Sequence, residues 1–418
     1  MSFVLSPRTT RGEAVVAAAS SLVETFAERA HAADAANEVT RENFDDLIAS
    51  GVASAFVPEE LGGFGLDSIH DWILTIATLA RGDASTAIAI NMHLAVSRGL
   101  VQAYSDAKAR LGTDHESTKG LAQLLGRLVS GDVLICATAT EPGTDNLHPF
   151  TEAVRVGKGD DRGWCINGQK IFVTLSPIAT HLAMNLRLRD GDGDHLATVM
   201  LPMDTPGLLP QHDWDALGMR SSGSQSVVFD NVRVPLHEVR KLSPWGQWSV
   251  GVLQNRTSAN IPLVGAFLGI AEAAHDIALA RLATQSRLGQ PATENSGIQN
   301  AVGEMALELA QCRAILGAAA IQMDEYFERH SGEGPAATME DAHHLMADYQ
   351  AAKWTVNRGA ISIVSKAMDL LGGSGYTNSH VLARLYRDVR AGPFMQPFGV
   401  TELREYVGQV TMGILPDQ

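Results

Sequence analysis

LLGGSGYTNSHVLARLYRDVRAGPFMQPFGVTE, residues 370–402, sets the reading of the whole chain. Gly372, Gly373 and Gly375 stop a helix, since glycine favours the position just past a helix end. RLYRDVR follows as a short basic helix. Pro393 and Pro397 then exclude regular helix from GPFMQPFG, because each removes a backbone donor. Two glycine-rich breaks around one charged helix suit backbone held against a ligand. An ordinary capped helical hairpin reads the same residues equally well.

The flanking segments supply the context. Upstream, Trp354, Ile361, Val364, Met368 and Leu371 form an apolar stripe, and Ile298, Val302, Met305, Leu309, Cys312 and Leu316 form another. Asn255–Leu282 reads as a third long helix, and Ser331–Thr338 as a Gly/Pro loop. Long helices with short connections pack as a bundle. Between residues 133 and 242 the texture changes to short alternating strands separated by turns, which predicts a small antiparallel β-domain. Residues 1–132 are alanine-rich and helical, with breaks at Asn37–Thr40, Pro58–Gly65 and Arg81–Asp83. The expected fold is mainly α with a central β-domain. Its expected units are an N-terminal helical domain (1–132), a middle β-barrel-like domain (133–242) and a C-terminal four-helix bundle (243–418).

Composition narrows the function. The 418 residues are 45% hydrophobic and 19% charged, as in a globular protein of more than one unit. A formal net charge of −15 argues against a nucleic-acid partner. Cys136, Cys165 and Cys312 have no zinc or disulfide spacing and read as core residues, which fits a reducing cytoplasm. Ala14–Val23 is apolar, yet Val15, Ala19, Leu22 and Phe26 lie on one helical stripe, so it reads as an amphipathic helix. No apolar run is expected to span a membrane. His343 and His344 read as a solvated helix face, with no metal assigned.

Four motifs stand in order: TEPGTD (Thr140–Asp145), NGQKIFVT (Asn167–Thr174), GMRSSGSQSVVFDNVRVP (Gly218–Pro235), and LLGGSGY with RLYRDVR. Together they resemble the acyl-CoA dehydrogenase superfamily of flavoproteins, over most of the chain from about residue 50. The resemblance implies the three-part fold above and a flavin, FAD with FMN as the alternative. It implies that Thr140 contacts the flavin ring, that Thr144 lies near the phosphates, that Phe172 stacks over the flavin, and that Thr174 puts a hydroxyl on its ring. Gly372, Gly373 and Gly375 would touch the flavin of a neighbouring subunit, so a homotetramer or homodimer is implied, with an electron-transfer partner or a flavin reductase. From the residues alone, TEPGTD is a tight turn that aims donors at one point, and NGQKIFVT is a strand with Ile171 and Val173 facing inward. A plain β-turn and a core strand fit them as well.

The departures bear on the reaction. TEPGTD is shorter than the family's run, and Gln285–Gly289 displaces or lacks an expected arginine. Removing an α-proton from an acyl thioester needs a carboxylate of raised pKa. The family's glutamate position, eight residues after Asp388, holds Gln396, and a second family position holds Ala259. The resemblance also implies that His93, on an apolar helix, lines the acyl cavity and is a candidate acid/base, as a histidine is in the superfamily's monooxygenase branch, although a buried histidine is more often a hydrogen-bonded core residue. Glu402 and Glu405 read as caps of the last helix. Three functions follow: dehydrogenation of an acyl-CoA with the base relocated or absent, oxygenation of a small substrate by reduced flavin and O2, or non-catalytic binding of flavin or acyl groups.

Overall fold

The computed structural model describes residues 3–287, 289–332 and 334–416; the side chains of residues 160 and 287 are outside that description. The N-terminal helices are α1 (Thr10–Ala36), α2 (Arg41–Ala49), α3 (Ile69–Ala80), α4 (Ala84–Leu111) and α5 (Glu116–Val129). Their ends follow local chemistry. The Thr9 hydroxyl caps α1, Asn37 closes it in the left-handed conformation, and Asp83 caps α4 through the amides of Ser85 and Thr86.

Eight strands follow: β1 (Ile135–Thr138), β2 (Glu152–Val156), β3 (Gly163–Val173), β4 (His181–Asp190), β5 (Gly193–Pro202), β6 (Leu208–Pro210), β7 (Gln225–Pro235) and β8 (Arg240–Pro244). They form one sheet in the order β6-β7-β3-β2-β4-β5-β8, with β1 also on β4. The expected antiparallel arrangement is corrected here: β1 and β2 pair with β4 in parallel.

Two bulges interrupt the β3–β7 ladder, one between Ile166 and Gly168 and one between Lys170 and Val173. Each places an extra residue on one strand and reverses its facing beyond that point. On β7 the buried hydrophobic residues are Val227 and Phe229 before the first bulge and Val232 and Val234 after it. On β3 the second bulge leaves Ile171 half-buried and turns Phe172 outward at φ 55°, so the simple inward alternation of Ile171 and Val173 does not hold. Gly168 is required at φ 146°, where a Cβ would lie 2.5 Å from the Thr151 hydroxyl.

The remaining helices are α6 (Val250–Thr284), α7 (Ser296–Arg329), α8 (Met339–Leu371), the single turn α9 (Gly373–Tyr376), α10 (Val381–Asp388) and α11 (Val400–Thr411). The glycine break is thus a helical turn. Ser286 and Arg287 pair with Gln290 and Pro291; Leu288 and the Arg287 side chain, where an arginine contact was sought, lie outside the described residues. On α7, Met305, Leu309, Cys312 and Leu316 are buried as expected. On α8 the buried stripe runs through Met346, Tyr349, Lys353, Val356 and Ala360, and Trp354 and Ile361 are only half-buried. Among the described residues α6 is long and apolar enough to cross a membrane, contrary to the expectation of no such run; 67% of its apolar window is buried in the protein. All three cysteines are buried.

RLYRDVR joins the three regions. Arg387 pairs with Asp34 of α1 at 2.5 and 3.0 Å, Arg384 approaches Asp83 at 3.5 Å, and buried Asp388 accepts the Met219 amide at 2.6 Å. Burial raises the Asp388 carboxyl to about 6, against an ordinary value of 3.8. The folded state therefore binds this proton more tightly than the unfolded chain, and Asp388 contributes less stability as pH rises from about 4 to 6. Melting curves across that window should show Asp388→Asn losing this component, so that the Tm of wild type relative to the variant declines as pH rises. A constant difference would assign Asp388 no titration in the window.

Candidate functional site

The site forms where the Met395–Phe398 turn meets the sheet and α8. Each carbonyl of that turn is held by a side chain from elsewhere. Lys353 donates to Met395 O and to Phe398 O, the latter at 2.6 Å. The Tyr349 hydroxyl donates to Gln396 O at 2.6 Å, and Asn146 Nδ2 to Pro397 O at 3.1 Å. Buried Lys353 has its pKa pushed down to about 7 by desolvation, with Glu402 opposing. Glu402 itself accepts the Gly399 amide at 2.8 Å, as expected of a helix-capping residue.

The held turn presents Gln396. Its Nε2 donates to the Thr140 hydroxyl, and its Oε1 is buried with no partner among the described residues. Thr140 is fixed in turn, because its carbonyl accepts the Ile171 amide at 3.0 Å. Beneath it Glu141 and Lys170 form a fully buried pair at 2.5 Å, and Glu141 Oε2 also accepts the amides of Phe150 and Thr151 at 2.7 and 2.9 Å. Desolvation lowers Lys170 to about 8. A buried pair with its remaining lone pairs satisfied fixes a loop firmly. Thr144 donates to His148 O at 2.5 Å and so braces the same loop.

On the sheet side, the second bulge exposes Phe172 (54%), whose ring stands edge-on to Trp214 at 6.0 Å. Thr174 joins a hydroxyl chain, 2.8 Å to Ser224 and from there 2.7 Å to Ser222. Thr140, Phe172, Thr174 and Gln396 are therefore brought to one seam by β3, its bulge and the turn. An exposed aromatic face, hydroxyls and an orphaned amide oxygen fit a planar polar-edged heterocycle such as a flavin.

The other expected residues stand elsewhere. His93 is buried in the core: its Nε2 donates to Ala53 O at 3.0 Å and its Nδ1 accepts the Ile135 amide at 3.1 Å. Burial lowers it to about 4. Both nitrogens are committed to backbone, so the acid/base candidacy is corrected to a structural role. Gly372, Gly373 and Gly375 lie past the end of α8, which is about 27 Å along the helix from Lys353 at 1.5 Å per residue. Within one chain they do not reach the seam.

Tyr349 and Lys353 escaped the sequence reading, although both fall on the apolar stripe of α8 where a polar residue signals a buried partner. So did a cleft of about 690 Å³ lined by His148, Trp245, Trp248, Met339 and His343. Trp248 packs at 6.4 Å against Phe398, placing the cleft beside the held turn. His343 hydrogen-bonds Tyr406 at 2.6 Å instead of facing solvent.

Comparison with known proteins finds relatives over the whole chain. Family models for the acyl-CoA dehydrogenase N-terminal, middle and C-terminal domains match residues 9–110, 135–232 and 255–405. L-evernosamine nitrososynthase of Micromonospora sp. is 34% identical over 98% of this chain and 92% of its own. Amino sugar nitrososynthase DnmZ of Streptomyces peucetius is 37% identical over 88% of this chain and 86% of its own. A crystal structure of KijD3 with FMN and dTDP-3-amino-2,3,6-trideoxy-4-keto-3-methyl-D-glucose superposes with a TM-score of 0.86 at 32% identity, over 99% of this chain and 96% of that one.

If the turn is held as described, Lys353→Met strands two buried carbonyls and should cost on the order of 2–4 kcal/mol. Tyr349→Phe, which strands one, should cost about 1–2 kcal/mol. Denaturant titration of both variants measures this, and wild-type midpoints would show the turn to be held by other contacts.

Proposed function

The chain belongs to the acyl-CoA dehydrogenase family and is a flavin-dependent oxidoreductase, and we propose that it oxidises the amino group of a nucleotide-linked amino sugar. The observation that carries this reading is Gln396: its amide nitrogen is occupied by Thr140, and its buried Oε1 has no partner. An amide oxygen accepts one N–H of a neutral amine. A carboxylate at the same point would hold the amine as ammonium, whose nitrogen has no lone pair to be oxidised.

The bound group would be FMN, held between Phe172, Thr174 and Thr140. In reduced form with O2 it supplies the oxidising chemistry, one oxygen atom going to nitrogen and the other leaving as water. The chain's residues orient the amine (Gln396), fix that orientation (Thr140, Tyr349, Lys353) and exclude water from the amide oxygen. A flavin reductase would supply the reduced flavin. The glycine turn after α8, too distant to serve its own seam, would serve that of a second copy, supporting a homo-oligomer.

Thioester dehydrogenation is less well supported. Neither Gln396 nor Ala259 can take a proton from carbon, and the Ala259 carbonyl is bonded to Asn91 at 3.1 Å.

The test combines the protein with FMN, a flavin reductase, NADH, O2 and a dTDP-linked amino sugar, with products read by mass spectrometry. Hydroxylamine and then nitroso products are expected. Anaerobic bleaching of the flavin by an acyl-CoA, with no amine oxidised, would contradict the reading. Gln396→Glu should lower the rate of amine oxidation by about 10- to 100-fold, the equivalent of one hydrogen bond to a charged or reacting group. A rate within a factor of two of wild type would remove Gln396 from that role.

A further inference from the structure

Arg256 stands in the second turn of α6, between Gln254 and Thr257, whose side chains are both engaged. Gln254 donates to the Tyr326 hydroxyl at 3.1 Å, and the Thr257 hydroxyl reaches Met346 Sδ at 3.7 Å. The guanidinium of Arg256 makes no hydrogen bond or ion pair among the described residues, and its Nη2 is buried. Arg256 lies within electrostatic reach of Lys170, which is bonded to Glu141, and adds to the lowering of that ammonium's pKa. The carboxylate at this point, Glu141, is spent on Lys170 and the amides of Phe150 and Thr151. Among the described residues no acid offsets the desolvation of Arg256, whose pKa nevertheless remains about 10, so it is charged at neutral pH. Among the described residues, Lys170 and Arg256 thus share the single carboxylate of Glu141 in a chain whose net charge is −15. An isolated buried charge is costly unless something pairs with it.

We propose that Arg256 anchors an anion site between α6 and the Thr140–Glu141 loop, and that the anion is a phosphate group of the bound ligand. The planar guanidinium offers paired donors that match phosphate oxygens. Gln396 Oε1 offers an unsatisfied acceptor for an amine, and Arg256 an unsatisfied cation for a phosphate. The identification as phosphate rests on the proposed function, under which the ligands are a nucleoside diphosphate sugar and a flavin nucleotide. Either could supply the group.

Calorimetric titration of the full chain with dTDP, thymidine, FMN and riboflavin distinguishes them, in wild type, Arg256→Met and Arg256→Lys. Arg256→Met should weaken dTDP or FMN by about 10- to 100-fold, with thymidine or riboflavin unchanged and Arg256→Lys intermediate. Loss confined to dTDP assigns the substrate's diphosphate, and loss confined to FMN assigns the flavin phosphate. Without ligand, Arg256→Met should melt no lower than wild type, because it removes a partly buried cation that no acid among the described residues pairs with; this also shows that the variant folds. Unchanged dTDP and FMN affinities, equal weakening of the phosphate-free ligands, or a wild type that binds neither phosphate ligand would overturn the proposal. If amine oxidation fails while phosphate binding still depends on Arg256, the anion site stands and the proposed reaction falls.

Discussion

The carbonyl oxygens of Met395, Gln396, Pro397 and Phe398 are each held by a side chain from α8 or from the loop after β1. This turn is the constraint on which the site depends. It carries Pro397, follows Pro393 closely and has no regular hydrogen-bond ladder of its own. Lys353 and Tyr349 supply the missing donors from a buried helix face, and Asn146 ties the turn to the sheet. A side chain on a turn held this way points one way, and here it is Gln396 that meets Thr140.

The opposite wall is fixed by equivalent means. The buried Glu141–Lys170 pair pins the loop that carries Thr140, and the bulge on β3 turns Phe172 toward open space and Thr174 toward a chain of hydroxyls. Helix α10 then locks the three regions together through Arg384, Arg387 and Asp388. The seam is a junction of a turn, a bulge and a loop, each braced by charge from a neighbouring element. Preorganisation of this kind suits a reaction in which the protein's part is to orient a small group.

The architecture was legible in the sequence because periodicity reports burial: the α7 stripe and the strand texture both mark faces that meet a core. Helix ends were legible where a cap carries its own side chain, as at Asp83 and Asn37. The site was legible only in part. Thr140, Phe172, Thr174 and Gln396 do converge, yet the bulge at Phe172 reverses a strand's facing through one added residue, which alternation cannot foretell. His93 looked reactive because its two backbone partners, Ala53 and Ile135, lie 40 and 42 residues away in sequence. Lys353, Tyr349 and Arg256 act through the tertiary surroundings of buried helix faces, where composition gives a polar residue no direction.

The central claim is that the Gln396 amide oxygen receives the substrate's amine. The most direct measurement is a crystal structure of the chain with FMN and a dTDP-linked amino sugar bound. The amine nitrogen should lie within about 3.2 Å of Gln396 Oε1, with Thr140 still on Nε2. An amine directed away from Gln396, with Oε1 bonded to water or to the flavin, would contradict it.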